Sequence, residues 1–237
     1  MKSIFMAAIV ATIFTAPANA ALVASFQLNG SLADALGGPA ITNNGGTLGG
    51  SGITFSNNQG PSLGGFSNTA VYSIAIEFSF DNLGGYRKII DFKSRTSDTG
   101  LYAFGSGLNF YPVTTATNQF TAGQATRLVV TRDAAGTFTG YIGDSAVISF
   151  LDSSNLATII SDLHFFRDDF ATGQFESGAG FVNYIKIYDT ALTAEQVAGL
   201  GGGTGSIPEP ASWAMMIAGF GLVGAAMRRR GRTPARA

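Results

Sequence analysis

The sequence predicts an all-β fold, a jelly-roll sandwich of two antiparallel sheets, and three observations carry that expectation. The first is alternation. Tyr72, Ile74, Ile76, Phe78 and Phe80 are separated by Ser73, Ala75, Glu77 and Ser79, the period-two pattern of a strand with one face on a core. The second is repetition: eleven short apolar or alternating runs are punctuated by Gly, Asn and Asp turns, as in sandwiches. The third is composition. Thirty-two glycines and 12% charged residues suit short strands joined by tight turns, and the chain is too rich in Phe, Ile and Leu for a disordered coat.

Taken in order, strands are expected at 22–28, 52–55, 72–80, 88–92, 100–104, 108–111, 127–131, 137–142, 146–150, 163–166 and 181–188. The glycine-rich stretches at 37–52 and 60–65 read as loops, because no Lys-Ser or Lys-Thr follows them to make a phosphate cradle. One helix closes the series: Thr193 caps it, Gln196 completes a capping box, and Gly199 to Gly203 end it. The sandwich thus occupies residues 21–200 as one domain, and 201–206 form a flexible glycine linker. There is no cysteine, so stability rests on packing alone.

The two ends read as addresses. Met1 to Ala20 has the form of a secretory signal peptide: Lys2, an apolar stretch from Ile4 to Phe14, then Ala18-Asn19-Ala20, with cleavage by signal peptidase expected after Ala20. At the other end Pro208 and Pro210 hold Ile207 to Pro210 extended, the backbone a protease groove accepts. Residues 212–227 then form a transmembrane segment of 16 residues, about 24 Å at ~1.5 Å per residue. That is short of the roughly 20 residues usually needed for a crossing. Interfacial Trp213 and snorkelling Arg228, Arg229 and Arg230 close the gap. The arginine cluster 228–232 follows the span, so the positive-inside rule keeps the C-terminus cytoplasmic and everything before Pro208 outside.

Without these ends the charge balance changes. Lys2 and the five arginines from 228 to 236 are six of the 14 basic residues, and Glu209 is one of the 15 acidic ones. Eight basic residues are left against 14 acidic, a net charge near −6. No basic footprint exists for DNA or RNA, and nucleic-acid binding is excluded as a function class.

Residues 207–232 resemble the PEP-CTERM sorting tail of exported proteins from Gram-negative bacteria. The likeness lies in the Pro208-Glu209-Pro210 triplet, the run Trp213 to Ile217, Gly219-Phe220-Gly221 and the arginine cluster. It implies an exosortase that cuts near the triplet, a precursor held in the inner membrane, and a mature form at the cell surface or outside. Four further stretches resemble the laminin G-like, concanavalin A-like sandwich family: 26–34, 86–92 with 100–102, 128–133 with Tyr141, and 182–197. That resemblance implies a binding role towards extracellular polysaccharide or a surface protein.

Catalytic signatures are sparse. With no cysteine and a single histidine, His164, thiol catalysis and a three-histidine metal site are excluded. No Gly-x-Ser-x-Gly elbow supports a serine triad, and His164 among Leu163, Phe165 and Phe166 reads as a strand residue with a satisfied ring. Glycosidases of this fold align carboxylates at i, i+2 and i+4 on one strand face. The nearest stretch, Ser73-Ile-Ala-Ile-Glu77, keeps only Glu77, so no catalytic residues are assigned. A glycan-cleaving enzyme using some other carboxylate pair is the alternative reading. Asp168, Asp169 and Glu176, in an expected loop, are candidate calcium ligands because oxygen-rich rims suit a hard cation. The loop lacks the Asp-x-Asn-x-Asp-Gly spacing, which leaves ordinary solvated acids as the competing reading. Asn183 stands where sandwich relatives often carry an acid. Tyr86, Tyr102 and Tyr111 are candidate platforms for a sugar ring, with core packing as the alternative.

Overall fold

The computed structural model describes residues 20–201. The expected signal peptide except Ala20, the sorting triplet, the span 212–227 and the arginine cluster lie outside the described residues. Among those described, no helix is long and apolar enough to cross a membrane.

Fourteen strands form among the described residues. They are β1 Leu22–Phe26, β2 Thr47–Leu48, β3 Ile53–Phe55, β4 Ser62–Leu63, β5 Tyr72–Phe80, β6 Tyr86–Asp91, β7 Gly100–Phe104, β8 Gly107–Tyr111, β9 Thr114–Ala116, β10 Thr126–Arg132, β11 Thr137–Ile142, β12 Ser145–Leu151, β13 Leu163–Phe165 and β14 Gly180–Tyr188. Each of the eleven expected strands is present. The three others, β2, β4 and β9, have two or three residues each, too few for a period to show. Two of these lie in the glycine-rich stretches that read as loops.

One sheet runs β12-β11-β10-β5-β14-β3-β2, with β1 also on β14, and the second runs β4-β13-β6-β7-β8-β9. Every pairing is antiparallel. Their inner faces meet in one apolar core to which β5 contributes Tyr72, Ile74, Ile76, Phe78 and Phe80, facing Ile90, Leu101, Leu108 and Phe110 of the smaller sheet. A knot of rings sits at one end: Phe166 stacks on Phe55 at 4.3 Å and meets Phe78 at 5.2 Å.

Strand β13 stops one residue short of expectation, because Phe166 takes a left-handed φ of 57° and turns its ring into that knot. Gly60 is required beside it. A Cβ there would stand 2.0 Å from the Phe165 carbonyl oxygen, closer than real contacts allow.

The outer face of β5 is not half-exposed as its alternation suggests. Ala75 packs with Val129, Tyr141, Tyr188, Leu192 and Val197 in a second apolar cluster. The closing helix α1, Ala194–Gly199, supplies Val197 and seals that face. Its capping box forms as the sequence predicts: Gln196 N donates to Thr193 Oγ1 at 3.3 Å and Thr193 N to Gln196 Oε1 at 2.8 Å.

Candidate functional site

The outer face of the smaller sheet is covered over Lys88 and Tyr102 and exposed at Phe104 and Tyr111. Register places Tyr86 opposite Phe104, Lys88 opposite Tyr102, Tyr102 opposite Asn109 and Gly100 opposite Tyr111. Because Leu101, Ala103, Leu108 and Phe110 point into the core, their neighbours Tyr102, Phe104, Asn109 and Tyr111 point outward. Tyr86 and Phe104 stack at 4.3 Å, and Tyr111 meets Tyr86 edge-on at 6.1 Å. Phe104 keeps 47% of its surface exposed. This makes an apolar ledge on an acidic domain.

Beside the ledge lies a pocket of ≈ 220 Å³ lined by Tyr86, Asp98, Tyr111 and Glu176. Asp98 comes from the turn before β7, where the Tyr102 hydroxyl donates to its Oδ1 at 2.9 Å. Glu176 arrives on the loop before β14, pinned because Lys88 N donates to the Glu176 carbonyl at 2.7 Å. Burial, then the charges of Asp98 and Asp168, push the Glu176 carboxyl up to about 7. Burial first, then Glu176, also raises the Tyr86 phenol. At neutral pH the pocket therefore sits on the edge of taking up a proton.

Beneath it the three expected calcium ligands part company. Among the described residues no group of three or more acids and histidines is arranged to hold a metal ion. The point that Asp168 and Asp169 share is held by the Lys88 ammonium, 3.1 Å from Asp169 Oδ2 and 3.8 Å from Asp168 Oδ1 and Asp91 Oδ2. All four side chains are fully buried. Lys88 also lies 4.2 Å over the Tyr102 ring. Gly100 is required by the neighbouring strand, since a Cβ there would stand 2.8 Å from the Ile90 carbonyl oxygen. Glu176 faces the pocket instead, contributing its backbone N–H to Asp168 Oδ2 at 2.9 Å. Burial raises Asp91 and Asp168. Burial also pushes Asp169 upward, but Lys88 and the Thr172 and Ala171 amides outweigh it and hold Asp169 below its usual range.

The other candidates are spent on structure. His164 Nδ1 lies 3.3 Å from Arg167 Nη1, and burial followed by the charges of Arg167 and Arg95 lowers the ring to about 4. Glu77 Oε1 accepts from Asn183 Nδ2 at 2.7 Å, and its partners on that face, Ser73 and Ala75, lie under the second apolar cluster and the segment before α1. Tyr102 is fully buried as a support, while Tyr86 and Tyr111 line the pocket. Asp98 and Lys88 were not legible as site residues. Their partners lie 4 and 81 positions away, and only the aromatic spacing of Tyr86, Tyr102 and Tyr111 hinted at this face. A second concavity, ≈ 210 Å³ and mostly apolar, lies between Val23, Phe26, Leu63, Phe66 and Ile187. Its one carboxylate, Asp34, is taken up by the Ser25, Leu36 and Gly38 amides.

Residues 206–230 match the PEP-CTERM protein-sorting motif, which implies an exported protein whose precursor is anchored through its tail. No curated protein matches the chain by sequence. Among solved structures, domain 4 of AbnA, a GH43 extracellular arabinanase from Geobacillus stearothermophilus in complex with arabinotriose, aligns with a TM-score of 0.54. It is 18% identical, over 77% of this chain and 98% of that one. Trypanosoma rangeli sialidase aligns with a TM-score of 0.60 at 13% identity, over 76% of this chain and 32% of the sialidase. The chain spans about a third of the sialidase's length. At these identities the likeness is one of fold: an all-β, two-sheet sandwich.

Proposed function

We propose that the mature protein is a non-catalytic, glycan-binding surface or matrix module, delivered by its PEP-CTERM tail. One observation carries the reading: the pocket of Tyr86, Asp98, Tyr111 and Glu176 opens beside the Tyr86–Phe104 ledge on the exposed part of the smaller sheet's outer face. Flat rings offer the apolar face of a sugar a surface to stack on, and carboxylates accept hydrogen bonds from its hydroxyls. The arabinotriose in the AbnA domain supports the reading by fold analogy, as does the laminin G-like resemblance of the sequence.

In this reading signal peptidase cuts after Ala20 and exosortase near Pro208-Glu209-Pro210, with Trp213 and Arg228 to Arg230 anchoring the precursor in the inner membrane of a Gram-negative cell. Cleavage after Ala20 leaves the Ala21 amine beside Asp189 Oδ1, to which its N–H donates at 2.9 Å, and the new ammonium gains a charge-assisted hydrogen bond.

The test is affinity electrophoresis of residues 21–206 through gels containing candidate polysaccharides. Residues 20–201 fall within one compact unit, so this fragment is a fair sample. Retardation by at least one polysaccharide, lost in a Tyr86→Ala, Tyr111→Ala double variant that melts cooperatively, is the expected result. Equal mobility of both proteins in every gel overturns the reading.

One observation favours glycan cleavage as a second reading: Asp98 and Glu176 share the pocket, and a Glu pushed up to about 7 is suited to a general acid. Release of reducing ends that stops in Glu176→Gln would establish it.

A further inference from the structure

We infer that the pocket selects a sugar carrying a free ammonium group, an amino-sugar unit of a polysaccharide, over neutral and acidic sugars. The inference rests on the binding reading above and names its ligand class. Among the described residues, the only charged side chains lining the pocket are Asp98 and Glu176. The cations of the acid cluster beneath it are engaged with other groups. Lys88 is buried below, outnumbered by Asp91, Asp168 and Asp169. Arg95 is occupied by the Asp168 carbonyl and Gln174 and lies 4.1 Å from the Phe170 ring. Two of the buried acceptors under the pocket, Asp91 Oδ2 and Asp168 Oδ1, receive no hydrogen bond. Five carboxylates thus crowd around two engaged cations. A uronic or sialic acid would add charge of the sign already in excess. A neutral sugar would desolvate two carboxylates and return only hydroxyl hydrogen bonds.

An ammonium group fits each feature. It donates three hydrogen bonds, enough for both carboxylates. Tyr86 and Tyr111, whose rings meet edge to face, line the pocket with aromatic surface against which an ammonium can sit. The pocket, at ≈ 220 Å³, is smaller than the ~300–1,000 Å³ of drug-sized sites. It therefore takes one ring, with the neighbouring unit laid on Phe104. The raised Glu176 carboxyl agrees with this geometry, because the proton it holds near neutrality stands in for a missing positive partner.

The experiment is calorimetric titration of residues 21–206 near pH 6.5. The ligands are a β-1,4-linked glucosamine hexamer, its N-acetylated counterpart, a glucose hexamer, a galacturonate hexamer and pentalysine. The glucosamine hexamer is expected to bind at least tenfold more tightly than the acetylated and glucose hexamers, and galacturonate not at all. Asp98→Asn and Glu176→Gln, checked for cooperative melting, should each shrink that preference to under threefold. Equal affinity for the acetylated or glucose hexamer overturns the inference and leaves glycan binding standing, and so does preference for galacturonate. Binding of pentalysine without the glucosamine hexamer overturns it in favour of a cationic protein partner. If no sugar binds here and no polysaccharide retards the protein in gels, the binding reading falls with it.

Discussion

Replacing Lys88 by Met removes one charge and little else, since the aliphatic stem is kept. The ammonium stands 3.1 Å from Asp169 and 3.8 Å from Asp91 and Asp168, with all four side chains out of water. Without it three carboxylates stay buried, and two of their oxygens already lack hydrogen bonds. Removing one partner of a buried ion pair costs ~3–5 kcal/mol, a large share of the ~5–15 kcal/mol that holds a domain folded. At ~2–4 °C per kcal/mol for a domain of this size, Tm should fall by about 6–20 °C. Urea unfolding should show a lower midpoint with unchanged slope. The loss should also depend on pH. Burial already raises Asp91 and Asp168, and removing the cation raises them further. Acids raised in the folded state stabilise it below their unfolded values and lose that contribution as pH climbs through the folded ones. The deficit of Lys88→Met should therefore be greatest near pH 7–8 and shrink towards pH 4. A loss under ~1 kcal/mol, or one indifferent to pH, would refute the buried-network account.

The same sign governs Glu176, raised from 4.5 to about 7. Glu176→Gln should melt above wild type at pH 7.5 and lose that advantage at pH 4, read by paired melting curves. In carboxyl NMR the wild-type Glu176 should titrate near 7 when free and lower once a glucosamine oligomer is bound. Because the Lys88 ammonium holds the point shared by Asp168 and Asp169, millimolar calcium should leave the wild-type Tm unchanged, whereas a rise abolished by Asp169→Asn would show that the loop binds the ion. Thr193→Ala breaks the capping box and should cost ~1 kcal/mol in urea unfolding.

The sandwich was legible because alternation is a local signal: β5, β14 and the longer strands between them carry it in their own residues. Strands β2, β4 and β9 escaped for want of length, and Phe166 left its strand for a tertiary ring contact that no local pattern records. The second buried face of β5 escaped for the same reason, since its cover, Leu192 and Val197, comes from more than a hundred residues away. At the site, the tyrosines were visible as candidates, and two of the three line the pocket. The acids of 168–176 were visible too, but their chemistry was not. An Asp-Asp pair reads like an open cation site until β6 is laid beneath it and Lys88 fills the place. Asp98 had no pattern at all, because a lone Asp in a Ser-Asp-Thr-Gly turn is what any such turn contains.

The central claim is that ligand is held on the outer side of the smaller sheet, and amide NMR of residues 21–206 titrated with the tightest-binding oligosaccharide tests it most directly. Shifts are expected to concentrate at 86–88, 98–104, 109–111 and 174–177, the segments around the Tyr86, Asp98, Tyr111 and Glu176 pocket. Shifts confined to the larger sheet, or to the apolar concavity around Val23 and Phe66, would contradict it.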